Sequence, residues 1–102
     1  MVDKQQAWLE PTHQPHEFNL CGEFNFDTVP AIYEKLLPKV KQGQITVLNL
    51  RHVTLGNSAL LGLLLGLKKV AMHEGHILTF TQLPQKLLAI AEVTDVLPIL
   101  TE

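Results

Sequence analysis

One cysteine, Cys21, is all the sequence offers, so no disulfide can tie the chain to itself. That scarcity fits a reducing compartment, with Cys21 read as a free buried thiol. Aromatic residues are few, at 6%, and charged residues are sparse, at 18%. The formal net charge of -2 gives no electrostatic footprint for nucleic acid. Nor does any run of lysine or arginine suit an anionic membrane surface. Long apolar runs are missing too. The longest, Ala59 to Leu67, falls far short of the roughly 20 residues that span a bilayer, so no direct membrane insertion is expected. Residues 1–20 include Asp3, Glu10, Pro11 and Pro15 and lack the apolar stretch of a secretory leader. The phosphate-cradling GxxxxGK[ST] loop, GxGxxG and GxSxG are all absent. There are no internal repeats, low-complexity tracts or linkers. A length of 102 residues suits a single domain, 1–102, in a cytoplasmic setting.

What the chain does have is alternation of strand and helix patterns. Ala7 to Glu10 reads as a short first strand, and Pro11 to Pro15 as a turn. Glu17 to Cys21 alternates polar and apolar residues and predicts a strand ended by Gly22. Asp27 or Thr28 can cap the next helix, with Pro30 in its first turn. Val29, Ile32, Tyr33, Leu36, Leu37 and Val40 keep a helical period, and Pro38 should kink or shorten the last turn. After Gln42 and Gly43, Ile45 to Leu50 predicts the central strand. A helix over Asn57 to His73 then stops at Glu74 and Gly75. His76 to Thr81 reads as another strand, Leu83 and Pro84 open a helix through Val93, and the apolar tail from Val96 to Leu100 folds back. The order β-β-α-β-α-β-α predicts an α/β mixed sheet of about four to five strands with helices packed on it.

The helix from Asn57 is too apolar for one buried stripe. At about 100° per residue, Lys68 and Lys69 mark the solvent side. Ala59, Leu60, Leu63, Gly66, Leu67, Val70 and Ala71 take the opposite, buried side. Leu61, Leu65 and Met72 fall on the lysine side, beside Ser58 and Gly62. Two readings are open: an exposed apolar contact surface, or a fully buried helix whose lysines snorkel outward. Gly62 and Gly66 form a GxxxG spacing that would let a helix or the sheet approach closely. Ser58 reads as a helix N-cap or as a candidate phosphosite, and Asn57 can also cap.

Other chemistry is thin. His13 and His16, like His73 and His76, are three apart, but no cysteine or carboxylate set completes a metal site. They read as solvated loop histidines. Glu10, Glu17 and Glu23 lie near the first strands without a convergent nucleophile and read as surface charges. The chain is not expected to be an enzyme or to carry a cofactor.

The element order and several motifs resemble the STAS domain, the fold of the anti-sigma-factor antagonists. That family carries a strand ending in an Asp-Leu-Ser-like triplet, a short loop, an Asp-Ser-Ser-Gly turn and a leucine- and glycine-rich helix. The counterparts here are Asn49-Leu50-Arg51, Val53-Thr54-Leu55, Gly56-Asn57-Ser58-Ala59, and Leu60 to Lys69. Gly22-Glu23, the segment Phe26 to Ala31, and the ending Leu83 to Ala91 look like the MlaB-like branch. That branch is the small cytoplasmic STAS subunit of a phospholipid-transport ABC complex in Gram-negative bacteria. The chain departs from the family where its aspartate becomes Gly56 and its phosphorylatable hydroxyl falls at Asn57 or Ser58.

The resemblance implies a regulatory binding subunit docking on the ATPase of that complex, which maintains outer-membrane lipid asymmetry. The contact would comprise Leu55, Asn57, Ser58, Leu61, Gly62 and Leu65, with Lys68 and Lys69 as its polar rim. The chain would then lie peripheral to the inner membrane through its partner, and the ATPase would hold the nucleotide. The alternative is an anti-sigma-factor antagonist binding a kinase-type anti-sigma factor through the same face, switched at Ser58.

Overall fold

The computed structural model describes residues 6–101, so the leader reading over 1–20 falls partly outside the described residues. Four strands and four helices follow one another: β1 (Ala7–Pro11), β2 (Glu17–Phe24), α1 (Val29–Lys41), β3 (Val47–Gly56), α2 (Ser58–His73), β4 (Thr79–Thr81), α3 (Gln85–Val93) and α4 (Leu97–Thr101). The sheet order is β1-β2-β3-β4. β1 pairs antiparallel with β2, while β2–β3 and β3–β4 are parallel, bridged by α1 and α2. The mixed α/β sheet expected from the alternating pattern is the one formed, with the tail as a further short helix, α4.

The core is aliphatic. Leu20, Phe24, Ile32, Leu36, Val40, Leu48, Leu50, Leu60, Leu64, Leu67, Leu87 and Leu100 are among its buried members. α1 buries Ile32, Leu36 and Val40, part of the periodic set read from the sequence. Its Pro38 lies inside the helix, which runs on to Lys41.

Several boundaries differ from expectation. Gly22 does not end β2. It sits at an irregularity in the β2–β3 register with φ +97, where an added Cβ would run into the Gln6 carbonyl and the Trp8 ring. A glycine is needed there, and the strand continues to Phe24. β3 runs six residues beyond Leu50, to Gly56, because β2 continues to pair with it as far as Phe24 opposite Gly56. β4 is shorter than His76 to Thr81, comprising Thr79–Thr81 alone. Neither Asp27 nor Thr28 caps α1 through its side chain. Instead Asn25 Oδ1 accepts from the Asp27 and Thr28 backbone N–H groups at 2.8 and 3.0 Å. Thr28 Oγ1 accepts from Asn25 N–H and donates to the Glu23 carbonyl, both at 2.9 Å. Asparagine turns of this kind compete with a regular N-cap.

Candidate functional site

The β3–α2 junction brings Leu55, Asn57, Ser58 and Gly62, four of the expected contact residues, to one end of the sheet. Gly56 closes β3, and a Cβ added to it would collide with the δ-methyl of the fully buried Leu60. Glycine at this position therefore lets Leu60 close over the turn. Asn57 follows in an extended conformation and caps α2, its Oδ1 accepting from the Ala59 N–H at 2.8 Å. Ser58 is thus the first helical residue and not the cap, and it is exposed. The cap reading of Ser58 is corrected in favour of Asn57. The reason is geometric: the cap must be the extended residue just outside the helix, and that residue is Asn57.

Two shallow hollows flank this helix start. One, of about 290 Å³, is lined by Phe26, Val29, Pro30 and Tyr33 from the α1 side and by Ser58, Ala59, Gly62 and Leu63 from α2. The other, of about 250 Å³, lies between Val53 to Gly56 and Pro84 to Lys86 at the start of α3. Phe26 is 70% exposed and Leu55 49% exposed, so a large apolar side chain stands on each side of Ser58. Phe26, Tyr33 and Pro84 were not among the contact residues expected from the sequence. They come from distant segments, and only the packing of α1 and α3 beside α2 assembles them.

Further along α2 the structure departs from the expected faces, most of all at Leu61 and Lys68. Leu61 is 6% exposed and belongs to the core. Lys68 is 5% exposed, with Nζ donating to the Leu78 carbonyl at 2.8 Å and lying 5.3 Å from the centroid of the Phe80 ring. The pair of lysines does not mark one solvent side because Lys68 folds onto the Leu78 carbonyl and the Phe80 ring beside β4, while Leu61 joins the core. The exposed or half-exposed positions are instead Ser58, Gly62, Leu65, Lys69, Met72 and His73, together with Gly66 and Val70, which were expected on the buried side. Leu65 is half-buried and packs against the core. A Cβ at Gly62 would meet nothing within 4 Å, and one at Gly66 only the Tyr33 ring at 3.6 Å. The GxxxG spacing therefore serves no close approach within the described residues.

Glu17, Glu10 and His16 have structural partners. Thr12 Oγ1 donates to Glu17 Oε1 at 3.3 Å, and Asn49 Nδ2 donates to Glu17 Oε2 at 3.4 Å. Trp8 Nε1 donates to Glu10 at 2.9 Å. His16 is more than a solvated loop residue: its Nδ1 hydrogen-bonds the Gln44 carbonyl at 3.0 Å, tying the β1–β2 turn to the approach to β3. Cys21 is buried, and burial first and the Glu10 carboxylate second push its thiol up to about 11. A thiol held protonated in this way is a poor nucleophile and metal ligand. Among the described residues no three His, Cys, Asp or Glu side chains are grouped to hold a metal.

The chain's similarities to known proteins agree with this architecture. It is 28% identical over 78 residues to the anti-sigma-B factor antagonist of Bacillus subtilis (strain 168), covering 76% of this chain and 72% of that protein. The phosphorylated form of the Bacillus cell fate determinant SpoIIAA superposes with a TM-score of 0.67 at 17% identity, over 90% of this chain and 86% of that one. The unphosphorylated form of the anti-sigma factor antagonist SpoIIAA gives a TM-score of 0.68 at 17% identity, over 90% and 83%. At that identity the likeness is one of fold. The family model described as "Mlab, STAS domain" matches residues 10–101, and the chain belongs to the STAS domain family.

Proposed function

We propose that this chain is a non-enzymatic docking module of the anti-sigma-factor-antagonist type, which binds a partner protein through the start of α2 and its flanking hollows. The observation that carries the reading is the exposed Ser58 at the first turn of α2, set between the exposed apolar side chains of Phe26 and Leu55. A polar, modifiable group framed by apolar anchors has the composition of a reversible protein interface. The likeness to the anti-sigma-B factor antagonist supports an anti-sigma factor as the partner. Ser58 is then the hydroxyl that a partner kinase modifies, as one of the similar proteins is known in a phosphorylated form. A phosphate on Ser58 would sit at the N-terminal end of α2, whose partial positive charge favours an anion.

A specific observation favours a second partner for the same surface. Gly56 and Asn57 stand where the family turn has its aspartate and first hydroxyl, and Leu60 fills the space an aspartate at 56 would need. Together with the Mlab description of the matching family, this supports docking on the ATPase of a phospholipid-transport ABC complex without phosphate control. The two partners separate in one experiment. The tagged chain is purified from its own host, bound proteins are identified by mass spectrometry, and Ser58 is analysed for phosphate. An anti-sigma factor together with stoichiometric phosphate on Ser58 supports the first partner. An ABC ATPase with unmodified Ser58 supports the second. Binding that survives Gly62→Glu and Phe26→Asp alike would rule out the docking surface itself.

A further inference from the structure

A second surface, at the opposite end of α2, carries paired stripes of different chemistry. Leu65 and Met72, one heptad apart, line a hollow of about 520 Å³ together with Lys68, Lys69 and Ile99 of α4. Met72 is 63% exposed and Ile99 45% exposed. Beside that apolar stripe runs a basic one. Lys69 and His73 are exposed one helical turn apart on α2, and both line a neighbouring hollow with Lys41 of α1 and Glu74. Among the described residues Glu74 is the only carboxylate lining either hollow. Ser58 and Met72 are 14 positions apart in sequence, about 21 Å along a helix, so the Met72 end of this surface is distinct from the docking end, while Leu65 lies one turn from Gly62.

We propose that this surface is a docking groove for an acidic amphipathic helix of a partner protein. Such a helix lays its apolar residues along Leu65, Met72 and Ile99 and its carboxylates along Lys69, His73 and Lys41. Helix-in-groove recognition uses apolar anchors spaced over two turns, which matches the heptad separation of Leu65 and Met72. Charge complementarity selects the occupant: the groove is rimmed by cations on an otherwise acidic chain of net charge -2. It also argues against a second copy, because an isologous pair would set Lys69 and Lys41 against cationic rims of the same kind. Exposed methionine adapts its shape to the side chains it meets, which suits a groove that is half open before binding.

The test uses the full chain. It is immobilised and panned against a displayed library of random peptides about 14 residues long, roughly four helical turns. Enriched peptides are synthesised and titrated into the isotope-labelled chain. The expected result is a consensus of apolar residues at helical spacing flanked by Asp or Glu. Amide shifts should centre on Leu65, Lys69, Met72 and Ile99, and binding should weaken as salt rises. Met72→Glu and Lys69→Glu, both at exposed positions and checked for folding by circular dichroism, should each weaken it by about tenfold or more. The proposal is overturned by a consensus without acidic residues, by binding indifferent to both variants, or by shifts at Phe26 and Ser58. It is equally overturned if sedimentation shows a dimer that Met72→Glu dissociates, or if decanoate fills the groove and the selected peptides do not.

Discussion

At the scale of single residues, the turn at Gly56, Asn57 and Ser58 shows how one position can divide structural from functional duty. Asn57 accepts the Ala59 N–H and closes the helix start, which leaves the Ser58 hydroxyl outside the cap and open to solvent. Asn57→Ala is therefore expected to lower stability by about 1 kcal/mol, the usual cost of a lost cap. Ser58→Ala should change it by less than about 0.5 kcal/mol, as at ordinary surface sites. Urea denaturation of the two variants checks this, and the reverse ranking would restore Ser58 as the cap. Cys21 gives a pH signature. Its thiol is raised from 9.0 to about 11 by burial and then by Glu10, so between those values the unfolded chain has lost a proton that the folded chain retains. The unfolded state binds fewer protons there, so stability falls as pH rises through that window, and the contribution is intact below pH 9. Cys21→Ala should flatten the fall between pH 9 and 11 in chemical denaturation. Iodoacetamide should label native Cys21 far more slowly than the urea-unfolded chain.

At the scale of elements, α2 is the test of what a sequence can say. The periodicity of α1 was legible because that helix has one buried side, and Ile32, Leu36 and Val40 fall on it. α2 has no single polar side from which to fix its orientation. Sheet, α1, α3 and α4 all meet it, so the two lysines expected to mark solvent are split, Lys69 outside and Lys68 folded onto the Leu78 carbonyl and the Phe80 ring. The same cause hid Phe26 and Tyr33 from the candidate site, since nothing local to those residues announces their neighbours. The extension of β3 and the shortness of β4 were also out of reach, because ladder pairing between strands sets their ends. Leu61→Glu, in the core, is now expected to unfold the domain, whereas Gly62→Glu should fold, as judged by thermal melts. Gly62→Ala carries a sharper contrast. A helical glycine is roughly 1 kcal/mol less favourable than alanine, and an added methyl at 62 meets nothing within 4 Å. The variant should melt higher than the natural chain. Should it also lose its partner, the glycine is retained for the interface.

At the scale of the whole molecule, the sheet is unequal from side to side. β2 and β3 pair along most of their length at its centre, but β4 joins β3 through only three residue pairs, Val47 with Thr79, Leu48 with Phe80 and Asn49 with Thr81. Beyond β4, α3 and α4 hold to the body chiefly through the buried side chains of Leu87, Ala91 and Leu100. Hydrogen exchange should resolve this as two tiers. Amides of β2 and β3 should exchange only through global unfolding, and those of β4, α3 and α4 through a cheaper, partial opening. Uniform protection across all four strands would contradict it. The brevity of β4 thus sets an order in time as well as a layout in space. When the molecule loosens, its C-terminal third lets go first, and the seam that parts is the one sealed by the Lys68 ammonium on the Leu78 carbonyl.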